Sequence, residues 1–178
     1  MIDGIAVTCI DMAMPMLIVE ASQLGKRGDE SPAELDADKA FMRRLESLRL
    51  KAGRAMGLGD VSDMVIPKPV LVSPAKSGGT LQVRYFMPHS CHRALAITGS
   101  IGLATACVTH GSVAANLIGG GGEPRLEQVR IEHPSGGIDV VLSYTGKTGE
   151  TIRASVVRTA RRLFSGFVYA TVSRRLAG

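Results

Sequence analysis

Tryptophan is absent from these 178 residues, and four phenylalanines and three tyrosines are the only other aromatics. A chain so poor in aromatic rings, with no RNA-binding or zinc-finger signature, lacks the stacking platforms that hold single-stranded nucleic acid. Cysteine is scarce as well. Cys9, Cys91 and Cys107 stand far apart, form no CxxC pair and cannot all enter disulfides, so reduced thiols are expected and a zinc knuckle is not. No apolar run reaches the roughly 18 to 20 residues that span a bilayer. Asp3 and Asp11 interrupt the apolar N-terminus, which excludes the pattern of a signal peptide and makes the cytoplasm the expected compartment. Acidic residues are missing beyond Thr151, where Arg153, Arg158, Arg161, Arg162, Arg174 and Arg175 lie. Of 21 basic residues these six leave 15, against 16 acids, so the formal charge of +5 resides in that last stretch. The stretch reads as a solvated strand face or a surface that attracts small polyanions. Neither nucleic acid nor a membrane is an expected partner.

Apolar residues make up 45% of the chain, enough for a single domain over 1–178 with a full core. Short β-branched strands are expected at Gly4–Ile10 and Met14–Val19. Ser31-Pro32-Ala33-Glu34 has the form of a capping box with proline in the first turn. An amphipathic helix follows over about Asp38 to Met56, with Phe41, Leu45, Leu48 and Ala52 at three- and four-residue steps. Strands are expected at Val65–Pro74, Thr80–Phe86, Leu126–Glu132, Ile138–Tyr144, Ile152–Thr159 and Leu163–Thr171, with a loop at Gly119–Gly122. Strands and helices do not alternate regularly, which disfavours a doubly wound parallel sheet. The expected class is α+β, an antiparallel sheet wrapped around one buried helix.

That helix is expected over Arg93–Val108, which is apolar or small on nearly every face and so must be buried all round. Two internal glycines cost it about 1 kcal/mol each relative to alanine, a cost that close packing explains. A helix N-terminus carries unpaired N–H groups and a positive dipole end. His89, Ser90, Cys91, His92 and Arg93 are expected to stand there, where a carboxylate or phosphate gains N–H donors, a guanidinium and imidazoles. The alternative is that Ser90 caps the helix and the histidines face solvent. Cys91, between two histidines at a helix start, is the candidate acid–base or nucleophilic group, with a thiol pKa expected to fall. Cys107 and Cys9 are expected in the core.

Several stretches together resemble one family: Asp11-Met12-Ala13-Met14-Pro15, SPAELDAD, RLESLRLKAGRAMGLGDV, Val65-Ile66-Pro67-Lys68, VRYFMPHSCHRALAITG, RIEHPSGGIDV and RASVVRTARRLFSGFVY. They are similar to the C-terminal half of PrpF-type proteins, cofactor-independent isomerases of unsaturated polycarboxylates. The family includes aconitate and methylitaconate isomerases and 4-oxalomesaconate tautomerases, and PHSCHRALAITG looks closest to the tautomerase branch. The resemblance implies half of a diaminopimelate-epimerase-like fold, in which two such domains flank a cleft. It implies a 1,3-proton shift with no cofactor and no metal, using a lysine and a cysteine of an N-terminal half that this chain is expected to lack. Where related epimerases carry a second cysteine this chain has Ala96, which disfavours two-cysteine chemistry. The residues left to this half are substrate-holding: His89, Ser90, His92 and Arg93, then Thr98 and Gly99, then Met14, Pro15, Lys68 and Arg84. The alternative for Lys68 and Arg84, a solvated strand end, carries more weight at this stage. The expected partners are a small polycarboxylate and either a second copy of the chain, as a homodimer, or the missing N-terminal half. A domain that binds polycarboxylates without turnover is the competing function.

Overall fold

A computed structural model describes residues 1–119, 127–145, 151–157, 161–167 and 169. Seven strands form one curled sheet in the order in which they occur in the chain: β1 (Val7–Asp11), β2 (Pro15–Glu20), β3 (Lys68–Ser73), β4 (Leu81–Tyr85), β5 (Gln128–His133), β6 (Gly136–Thr145) and β7 (Thr151–Val156). Four neighbouring pairs are antiparallel, but β2–β3 and β4–β5 are parallel, which corrects the expectation of a wholly antiparallel sheet. The reason is connectivity. Parallel neighbours need a long crossover, and both of these links contain helices.

The first crossover carries a 3-10 turn (Ala21–Leu24) and helices α1 (Pro32–Ala37) and α2 (Lys39–Ala55). The capping box at α1 forms as expected: Ser31 Oγ accepts the Glu34 N–H, and the Glu34 carboxylate accepts the Ser31 N–H. Asp38 caps α2 by accepting the Phe41 N–H at 3.0 Å. The apolar stripe Phe41, Leu45, Leu48, Ala52 then packs on Leu17, Val19 and Leu71 of the sheet's outer face.

The second crossover holds α3 (Ile97–Val108) and α4 (Val113–Leu117). Helix α3 lies in the hollow of the sheet, against Met16, Ile18, Val70, Val72, Val83 and Tyr85 among others, and touches both β1 and β7. Leu103, Ala104 and Ala106 are fully buried, as an all-apolar helix demands, and a leucine buried this way contributes about 2 kcal/mol. Among the described residues no helix is long and apolar enough to cross a membrane.

Residues 161–167 and 169 are exposed and belong to no strand, so Leu163–Phe167 is not the strand expected there. Residues 168 and 170–171 of that expectation lie outside the described residues. So do 120–122 of the glycine run and Arg158, Arg174 and Arg175 of the basic stretch.

Candidate functional site

Helix α3 begins four residues later than its composition indicates. Strand β4 ends at Tyr85, and the chain reverses at once through Met87-Pro88-His89-Ser90, where the Met87 N–H donates to Ser90 O. Phe86 and Cys91 form a bridge across this turn, and the His92 N–H returns to Tyr85 O at 2.7 Å. The His92 imidazole then takes the Ala94 N–H on Nδ1, and the hydroxyl of Ser135 donates to Arg93 O. These contacts engage the Ala94 N–H and the Arg93 carbonyl outside a helical pattern, and the helix starts at Ile97. Ala96 is the N-cap and offers no side-chain acceptor.

The expected anion-receiving entry is thereby corrected. His89, Ser90 and Arg93 are exposed on the loop, and Arg93 borders a shallow depression with Ser31, Pro32 and Ser135. Ser90 does not cap the helix. Cys91 is turned to the outer face, with its N–H on Asp36 Oδ1 and its side chain among Leu35, Phe41 and Phe86. Burial pushes its thiol up to about 12, with Asp36 adding to and Arg84 opposing the shift, where a fall was expected. Cys107 is core, as expected, while Cys9 is exposed rather than buried.

Thr98 and Gly99, by contrast, sit in the true first turn. The N–H groups of Ile97, Thr98 and Gly99 have no acceptor among the described residues. Gly99 lies on the ring of Tyr85 so closely that a Cβ would come within 2.7 Å of Cε2, which gives this glycine its packing reason. One turn on, a Cβ at Gly102 would meet Met16 Cε at 2.4 Å and Met12 O at 3.4 Å. The β1–β2 turn, with Met14 packed against the inner core and Pro15 opening β2, therefore borders α3 as well.

Lys68 and Arg84 are both buried, at 4% and 5% exposure, which overturns the reading of either as a solvated strand end. Their surroundings differ. Arg84 points outward, giving Nε to Glu30 O at 2.6 Å and a terminal nitrogen to Val83 O at 2.9 Å. Lys68 shares the inner face with Val70 and Val72, pairs with Met16 in register, and has one hydrogen-bond partner among the described residues, the thioether of Met87 at 3.7 Å. Burial, helped by the Arg49 guanidinium, lowers its pKa.

Three residues of this region were not singled out from the sequence. Tyr85 is 1% exposed, and burial pushes its phenol up to about 12. The His92 ring stands edge-on to it, with centroids 6.3 Å apart. His133, at the end of β5, is half-buried, and its pKa is lowered by burial and then by the charges of His92 and Arg84. Met87 is the third. His133 lines a depression with Gln82, Arg84, Arg130 and Glu132. Among the described residues no cluster of three or more His, Cys, Asp or Glu is placed to hold a metal. The first turn of α3 leaves N–H donors that an anion can accept.

Comparison with known proteins identifies the family and the fold. The chain is 60% identical over 167 residues to the YbhH protein of Escherichia coli strain K12, covering 94% of this chain and 47% of that one. It is 42% identical over 167 residues to a 4-oxalomesaconate tautomerase of Pseudomonas putida, covering 94% of this chain and 45% of that one. It thus spans about half the length of the curated relatives it matches. The crystal structure of a methylitaconate-delta-isomerase superimposes with a TM-score of 0.75 at 23% identity, over 91% of this chain and 46% of that one, which identifies the shared fold. The PrpF protein family matches residues 2–171, and the chain belongs to it.

Proposed function

We propose that this chain forms the substrate-holding half of an isomerase that moves a carbon–carbon double bond in an unsaturated polycarboxylate, 4-oxalomesaconate being the first candidate. Relatives named as 4-oxalomesaconate tautomerase, (4E)-oxalomesaconate Delta-isomerase and 2-methyl-aconitate isomerase support the reaction class. The observation that carries the reading is the uncapped first turn of α3, with its three free N–H groups.

The reaction is a 1,3-proton shift. A carbon acid activated by neighbouring carbonyl and carboxyl groups gives up a proton, negative charge spreads onto oxygen as an enolate, and the proton returns at the allylic position. Donors aimed at the carboxylate and at that developing oxygen charge lower the barrier because they need no reorganisation. Helix α3 supplies such donors. In this proposal the proton-transfer groups lie beyond this chain, and burial pushes the Cys91 and Cys107 thiols up to about 12, which does not suit either to that task.

Titration calorimetry of the purified chain with 4-oxalomesaconate and with aconitate tests the binding half. Saturable heat at millimolar ligand or below is expected, and none at all would overturn the reading. Proton NMR in deuterated water tests the division of labour: the chain alone should exchange no substrate hydrogen. Rapid exchange by the isolated 178 residues would place a proton-transfer group inside them.

A further inference from the structure

Two histidines of this chain hold their own backbone in the same way. The Nδ1 of His92 accepts the N–H of Ala94 at 2.9 Å, and the Nδ1 of His133 accepts the N–H of Ser135 at 3.3 Å. Each ring closes a turn onto the residue two places on, the contact that asparagine makes in an Asx turn. A neutral imidazole has one nitrogen that accepts a hydrogen bond, whereas an imidazolium has none. Both turns therefore require an uncharged ring.

The two turns are also tied to each other. The hydroxyl of Ser135, in the second turn, donates to the carbonyl of Arg93, in the first, across 42 residues of sequence. One turn lies in the loop that leads from β4 into α3, and the other joins β5 to β6. The surroundings make this tie sensitive to protons. The charges of His92 and Arg84 both oppose a charge on His133, Arg130 lines the depression beside it, and Arg93 belongs to the first turn. The carboxylates of the region are engaged elsewhere. Glu132 accepts the N–H groups of Lys76, Ser77 and Gly79, Asp139 takes Arg130, and Asp36 takes the N–H of Cys91. The face of His92 towards β4 meets only the Tyr85 ring, edge-on. Among the described residues neither imidazole has a carboxylate within ion-pair distance.

From this we infer that His92, His133 and the Ser135–Arg93 hydrogen bond form a proton-operated latch. With both rings neutral it ties the lead-in of α3 to the β5–β6 turn, and protonation of the pair releases it. The inference goes beyond the isomerase reading and stands without it. Its sign follows from the ring chemistry. The closed latch carries no proton on either Nδ1, whereas the open one binds up to two, so closure holds at high pH and is lost as pH falls. Histidine titrates between about pH 5 and 8, which puts release in the mildly acid range. The strands and α3 keep their own hydrogen bonds throughout, so the change is confined to the two turns.

NMR of the full chain tests it, following the Ala94 and Ser135 amides and both imidazoles from about pH 8 down to about pH 5. In the wild type the exchange protection of the two amides, corrected for the intrinsic pH dependence of exchange, should fall at least fivefold, with the midpoint of the imidazole signals. The double variant His92→Asn, His133→Asn offers each N–H an amide oxygen that does not titrate, so its protection should stay within twofold over the same range. Ser135→Ala cuts the tie and leaves both rings, and should lower the protection of Ala94 severalfold even at the upper pH. Far-UV circular dichroism and thermal melting identify a variant that fails to fold, and the wild type then decides alone through the agreement of amide and imidazole midpoints. Wild-type protection that stays flat to the lowest pH, or falls equally in the double variant, overturns the latch. Amide and imidazole midpoints about one pH unit or more apart do the same, as does unchanged Ala94 protection in a folded Ser135→Ala variant.

Discussion

On the outer face of the sheet, Arg49 is fully buried and donates to Glu46 and to the carbonyls of Val61 and Ile66. On the inner face Lys68 is almost as deeply buried and has a methionine sulfur. The same contrast runs through the neighbours. Outside, Glu30 accepts the Arg27 and Gly28 N–H groups, Gln82 donates to Gly28 O and Glu132 collects the N–H groups of Lys76, Ser77 and Gly79. Inside, the N–H groups of Ile97, Thr98 and Gly99 have no acceptor among the described residues. A well-paired buried charge holds a fold together, whereas a weakly paired one costs it stability. The two faces differ in how the buried cation of each is paired.

Mutation can break this division at several points. Arg49→Ala strands two buried carbonyls and should cost about 3 kcal/mol in urea unfolding, while leaving carboxylate affinity per folded molecule unchanged. A matching loss of affinity would end the distinction between the faces. Glu132→Gln should cost about 2 kcal/mol at pH 7, since it removes a charged acceptor from three N–H donors. Burial raises the Glu132 pKa, but those three N–H groups outweigh it and hold the carboxyl below its usual 4.5. A depressed folded pKa contributes stability above the unfolded value that is lost as pH falls through the folded one. The gap between wild type and Glu132→Gln should therefore narrow as pH is lowered from 5 towards 3.

Within the inner face the two close glycines should diverge. Gly99→Ala drives a methyl into the buried Tyr85 ring and should cost about 1 to 2 kcal/mol along with carboxylate binding. Gly102→Ala meets the end of the flexible Met16 side chain and, at ordinary contact distance, Met12 O, and gains about 1 kcal/mol of helix propensity, so it should be near neutral. Lys68→Met should leave stability unchanged or raise it by about 1 kcal/mol, because it removes a buried charge with no counter-ion. The smallest effect is chemical: thiol titration of the native protein at pH 8 should modify Cys9 first, with Cys91 and Cys107 silent until unfolding.

Local chemistry was the legible part of the fold. The capping box at Ser31 and the stripe from Phe41 to Ala52 are set by neighbours within a turn, so the sequence displays them directly. The buried character of α3 was equally plain, because an apolar helix has no other place. Its start was hidden. Arg93–Ala96 look helical by residue type, and what excludes them is the Phe86–Cys91 bridge and the hydrogen bond from Ser135 in the β5–β6 turn. The parallel pairings were invisible for the same reason, each joining segments separated by whole helices. Lys68 was ambiguous because β3 is buried on both faces, so its sequence shows no alternation to say which way a side chain points. Cys91 misled because its neighbours in sequence are histidines, whereas its neighbours in space are Leu35 and Phe41.

The seven strands follow one another across the sheet in chain order, and α3 touches the first and the last of them. During synthesis, α3 therefore leaves the ribosome while β5, β6 and β7 are not yet made. Helix α3 emerges onto half a cradle. The nascent chain must carry its most apolar helix, with one side still uncovered, for the time needed to add roughly 50 residues, about 3 to 10 seconds at ordinary elongation rates. That interval is when this protein is most exposed to aggregation, and a chaperone that protects it has α3 as its natural target.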